Sequence, residues 1–139
     1  MKRLFLDTNV VLDLCIQSRK GYKLSHEIIK ISIDRKQSLS IAWHTLSVLE
    51  YVGSKILKEE IFQVLQSAID LFDIPATGSI EAQKAFQYLN GDYEDAMQIV
   101  SALSAGSNVI ITADQSGGFD KSPIPVMTPI SYLDYVAQE

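Results

Sequence analysis

Short apolar runs alternate with longer stretches in which apolar positions recur every three or four residues, from one end of the chain to the other. Arg3 to Leu6 carries three consecutive apolar residues and predicts a strand, and Val10 to Ile16 predicts a short helix. Leu24, Ile28, Ile31 and Ile33 recur at roughly helical intervals and predict a helix over Lys23 to Arg35. Leu39 to Trp43 predicts a second strand, followed by a helix from about Thr45 to Leu57 and another through Ile61, Val64, Leu65, Ile69 and Leu71. Phe72 to Ile74 predicts a third strand, stopped by Pro75 and Gly78. Helices return at Ile80 to Leu89 and Glu94 to Ala105, with Gly106 placed as a C-cap that tolerates positive φ. Asn108 to Thr112, rich in β-branched residues, is the clearest strand; Pro125 to Met127 predicts a fifth, and Tyr132 to Val136 a terminal helix.

Strands separated by helices imply parallel pairing, right-handed crossovers and helices on both sheet faces. No Pro/Gly/Ser-rich linker and no internal repeat divides the chain, so one α/β domain over residues 1–139 is expected. No apolar run approaches the roughly 20 residues needed to cross a bilayer. Met1-Lys2-Arg3-Leu4 opens no apolar region of the kind a signal peptide needs. Cys15, the single cysteine, cannot form an internal disulfide and reads as a small hydrophobe in a reducing compartment. A cytoplasmic protein away from the membrane is expected. The net charge of −5 argues against a protein whose main business is non-specific attraction to phosphate. It does not exclude a nuclease, because acids gathered around metal ions are neutralised locally and the metal meets the phosphate.

In open parallel sheets, ligands collect beyond the carboxyl ends of the strands. Asp7 follows the first strand there, as either a helix N-cap or a group pointing into the crevice. Asp114 follows the fourth strand in the same way, as a loop former or a second acid beside Asp7. Glu50 lies at the edge of the apolar stripe of its helix, able to reach over the sheet rim or to turn outward. Asp95 falls in the first turn of its helix on the side of Ile99, which should meet the sheet, and Glu94 is expected to face away; Asp92 is the expected N-cap. Carboxylates converging from different elements suit Mg²⁺ or Mn²⁺ and phosphodiester hydrolysis, with no histidine or serine nucleophile required.

These segments resemble the PIN-domain ribonucleases, in particular the VapC-like toxins of bacterial toxin–antitoxin pairs. The likeness lies in Leu6-Asp7-Thr8-Asn9-Val10 with Leu12-Asp13, and in Ser47-Val48-Leu49-Glu50. It continues in Asp92-Tyr93-Glu94-Asp95-Ala96, Ala102 to Gly106, Val109 to Thr112, and the tail from Ile124 to Pro129 with Tyr132-Leu133. The resemblance implies a three-layer α/β/α fold with a central parallel sheet of about five strands. It maps the family's first three acids to Asp7, Glu50 and Asp95, as metal ligands and catalytic residues. Thr8 and Asn9 match positions that arrange the first acid's turn. In the fourth acidic region the chain departs from its relatives. Aligning on Phe119 places Gly118 where many relatives carry Asp, and leaves Asp114, or else Asp120, as the fourth acid. The resemblance further implies a metal-dependent endoribonuclease acting on RNA, commonly a homodimer, with an antitoxin partner.

Arg19, Lys20 and Lys23 cluster after the first helix and are expected either as a solvated turn or as a phosphate grip beside the acids. His26 and His44 have no metal-ligand spacing and are expected to be structural or surface residues, and Trp43 is expected in the core. A dehalogenase-type phosphatase is disfavoured because Asn9 stands where its second Asp belongs. A receiver domain is disfavoured because Ile74-Pro75 replaces its acceptor. The alternative function is a PIN-like RNA- or protein-binding module that has lost catalysis.

Overall fold

The computed structural model describes residues 2–114 and 116–139. Four parallel strands form its centre: β1 (Arg3–Leu6), β2 (Ser38–Ser40), β3 (Val109–Ile111) and β4 (Val126–Met127), in the order β2-β1-β3-β4. Among the described residues seven α-helices surround them: α1 (Thr8–Cys15), α2 (Tyr22–Asp34), α3 (Trp43–Leu57), α4 (Ile61–Leu71), α5 (Ser79–Lys84), α6 (Tyr93–Ser104) and α7 (Pro129–Ala137). Gly106 adopts φ +67 just past α6, the left-handed conformation its position requires.

Each strand divides its side chains between two faces. Leu4 and Leu6 of β1, with Val109 and Ile111 of β3, pack on one face against Val10 and Val11 of α1, Ile28 of α2, Leu49 of α3 and Tyr132 of α7. Phe5 and Ile110 point the other way, to Ile99 and Ala102 of α6 and to Phe119 and Ile124 in the loop before β4. The result is a three-layer α/β/α arrangement.

The expected strand at Phe72 to Ile74 shrinks to one isolated parallel bridge between Ser40 and Asp73, so the sheet has four strands where about five were expected. Pro75 lacks the N–H that a longer ladder would need. Trp43 also differs from expectation. It opens α3 and is 66% exposed, because β2 ends at Ser40 and only Ile41 and Ala42 remain buried on the way out of the sheet. None of the helices among the described residues is long and apolar enough to span a membrane.

Candidate metal centre

β1 and β3 are neighbours, with Leu6 opposite Ile111, so their carboxyl ends open onto one rim. Asp7 stands there, buried, with its backbone N–H donating to the Ile111 carbonyl at 3.0 Å. Its Oδ1 accepts from the Thr8 N–H at 2.7 Å, capping α1, and its Oδ2 accepts from the Thr112 hydroxyl at 2.7 Å. The cap and the crevice acid are therefore one and the same group. Burial drives its pKa up to about 6, against the two hydrogen bonds and with help from the charges of Glu94 and Asp114.

α6 begins at the same rim. Asp92 caps it by accepting from the Asp95 N–H at 3.1 Å, and Asp95 is carried into the interior. Asp95 Oδ2 is buried with no hydrogen-bond partner, an expensive condition for a carboxylate. Burial, then the charges of Asp92, Asp7, Asp114 and Glu94, raise its pKa to about 7.

One carboxylate oxygen from each of Asp7, Glu94 and Asp95 lies within 4.8 Å of the others. Glu94, expected to face away, is thus the third member. A polar cluster at the start of α3 draws it in: Glu94 Oε2 lies 2.7 Å from His44 Nε2 and also accepts from the Gln98 amide and the Thr8 hydroxyl. Thr8 and Thr45 share a 2.8 Å hydroxyl contact beneath them. Burial raises the Glu94 pKa, but the His44, Gln98 and Thr8 contacts outweigh it and hold the carboxyl below its usual range. The sequence signal for this arrangement was the i, i+4 pair Glu94–Gln98, with Gln98 wholly buried.

Glu50, expected among the ligands, is not in this group. It is half-buried on α3, six residues beyond His44, which puts it about 9 Å further along the axis and about 120° around it. The first turn of α3, not its second, reaches the rim. Asp114 stands beside the trio, half-buried: the backbone N–H of Ser116 at 2.8 Å and its hydroxyl at 3.0 Å hold the carboxyl below its usual range. Gly118 lies directly against Asp95 Oδ2, and a Cβ there would collide with it. Asp120 is exposed, lies next to Gly117 and is not part of the trio. Thr8 is buried in the hydrogen-bond network, whereas Asn9 is exposed on the first turn of α1. Arg19 is paired with Asp13 at 2.7 Å, and Lys20 and Lys23 are exposed. His26 rests its Nε2 3.1 Å from the Leu14 carbonyl. Cys15 is half-buried, and burial pushes its thiol up to about 11, far from reactive.

A family profile described as the PIN domain matches residues 3–116, most of the chain and every residue of the acidic rim. The chain belongs to the PIN domain family. Within it, the chain is 29% identical over 138 residues to ribonuclease VapC1 of Aquifex aeolicus, a match covering 96% of this chain and 94% of that one. Among solved structures, its fold is similar to that of VapC20 of Mycobacterium tuberculosis, described as a sarcin-ricin loop cleaving toxin. The TM-score is 0.67 at 9% identity, covering 87% and 95% of the two chains. It is also similar to VapBC2 of Rickettsia felis bound to a promoter DNA fragment, with TM-score 0.62, 16% identity and coverage of 91% and 98%. VapBC-1 of nontypeable Haemophilus influenzae gives 0.65 at 16% identity, covering 92% and 98%.

Proposed function

We propose that this PIN domain is an endoribonuclease, the toxin of a type II toxin–antitoxin pair, in which Asp7, Glu94 and Asp95 hold a Mg²⁺ or Mn²⁺ ion with Asp114 alongside. The observation that carries this reading is the buried, unpartnered Oδ2 of Asp95, within reach of two other carboxylates that arrive from separate elements. An oxygen-only donor set of this charge fits a hard divalent cation and leaves no comparable role for a softer one. Such an ion supplies Lewis-acid stabilisation of a phosphodiester's charge and a more acidic water.

The chain's own part is to aim and hold the donors. Thr112 and the Thr8 N–H fix both oxygens of Asp7, so it keeps its place without an ion. His44 and Gln98 hold the Glu94 carboxylate in place. Asp114, tied down by Ser116, adds negative charge at the mouth of the site. Asn9, exposed on the first turn of α1, is a candidate contact for the RNA chain, as are the exposed Lys20 and Lys23 beyond the end of α1; Arg19 is engaged by Asp13. The relatives described as VapBC complexes support an antitoxin partner for this chain. A homodimer is proposed with it.

The test is cleavage of varied RNAs with Mg²⁺ or Mn²⁺ by the intact protein, Asp7→Asn and Asp95→Asn. Cleavage by the intact protein alone, reduced at least ~100-fold in both variants, is expected where a metal ligand is lost. Cleavage that persists in both variants, or none by the intact protein, would contradict the proposal; the latter result would point to a non-catalytic RNA- or protein-binding module.

A further inference from the structure

The sole tryptophan of the chain occupies a conspicuous place. Trp43 is the first residue of α3, 66% exposed, and its neighbour His44 binds Glu94 of the carboxylate trio. Open space borders the indole in two places. One cavity of about 150 Å³ is bounded by Trp43, His44, Thr77, Gly78, Met97 and Ser101; a second hollow is lined by Trp43 with Leu46, Ile69, Ile74 and Pro75. The first cavity is well below the roughly 300 Å³ at which pockets for drug-sized ligands begin, and suits a single ring system. Its lining is mostly apolar; the polar groups are the Thr77 and Ser101 hydroxyls, the His44 ring and the Glu81 carboxylate, which accepts from the Gly78 N–H at 2.7 Å. Neither hollow is lined by Lys or Arg.

We propose that the slot beside Trp43 receives one unstacked base of a single-stranded RNA, with an adjoining phosphate lying over Asp7, Glu94 and Asp95. The proposal rests on the ribonuclease reading and adds to it how the substrate is held. An exposed aromatic face offers stacking to any base, and an unstacked base can reach it where a base paired and stacked in a helix cannot. With no cation in its walls and a net charge of −5 on the chain, the slot draws its affinity from stacking and not from phosphate neutralisation. His44 forms both a wall of the slot and the anchor of Glu94, so a base seated there is registered against the reacting centre.

Because Trp43 is the only tryptophan, its emission reports the slot directly. The intact protein in a chelator is titrated with a short single-stranded RNA of mixed sequence and with the same RNA as a duplex. Quenching by the single strand and not by the duplex is expected. In cleavage assays Trp43→Ala should raise KM roughly tenfold with kcat nearly unchanged, and Trp43→Phe should restore most of the loss. Emission unmoved by an RNA that the protein cleaves, or an unchanged KM in Trp43→Ala, overturns the slot and leaves the nuclease reading standing. Quenching by single-stranded RNA that is never cut overturns the nuclease reading and retains the slot.

Discussion

Gly118 shows how a missing acid can serve the site. The resemblance to PIN-domain ribonucleases leads to the expectation of an acid at this position, yet here the bare backbone makes room for the carboxylate of Asp95. Adding a single methyl group displaces that buried carboxylate with no change in charge. Gly118→Ala is expected to weaken Mn²⁺ binding by roughly tenfold, the scale of other losses just outside a ligand shell. Calorimetric titration checks it, and an affinity equal to that of the intact protein would contradict it. The raised carboxyls make a second prediction. Without metal, folded Asp7 and Asp95 keep their protons up to about 6 and about 7, while the unfolded chain releases them near the ordinary value of 3.8. Their stabilising contribution is full below that ordinary value and is lost as pH rises through their folded values. The metal-free protein should therefore melt at lower temperature as pH goes from about 5 to about 8, and added Mn²⁺ should raise the melting temperature more at the upper end. A metal-free melting temperature that climbs over that range would contradict it.

At the scale of elements, the two helices that build the site differ in how readily the sequence reveals them. α6 was legible because Asp92 is a plain N-cap, and the cap fixes where Asp95 falls relative to the sheet. Glu94 was not, because helical projection alone turns it outward. What brings it in is the histidine on another helix, 50 residues earlier in the chain. α3 was harder still. Its pattern predicts a helix from about Thr45, whereas it begins at Trp43; of its apolar stripe Leu46, Leu49, Val52, Ile56 and Leu57, all but Ile56 pack against the core. Thr45, Leu49 and Gly53 are buried, and Gly53 is bare because a Cβ there would stand 2.5 Å from Ile61 Cδ1 of α4. Ile56, at 54% exposure, is out of the core. The burial of Gly53 depends on how α3 and α4 cross, which apolar spacing does not encode. Glu50 was placed from that stripe, and α3 carries it away from the rim.

At the scale of the molecule, the parallel sheet and its helical layers follow from the alternation of apolar runs with helical patterns. The sequence puts an acid after each of two strands but leaves open whether those strands are neighbours; the pairing of β1 with β3 is what puts Asp7 and Asp114 at one rim. The five-strand estimate failed only at Phe72 to Ile74, whose single bridge to Ser40 is too short to be a strand. What the sheet does for function is bring β1, the start of α3 and the start of α6 to one edge, so that groups from the three meet. Whether they meet around a cation is decided by titrating Mn²⁺ into the intact protein, Glu94→Gln and Glu50→Gln, with binding followed by calorimetry. Glu94→Gln should bind at least ~10-fold more weakly and Glu50→Gln nearly as well as the intact protein. Binding lost in Glu50→Gln and kept in Glu94→Gln would contradict the site described here.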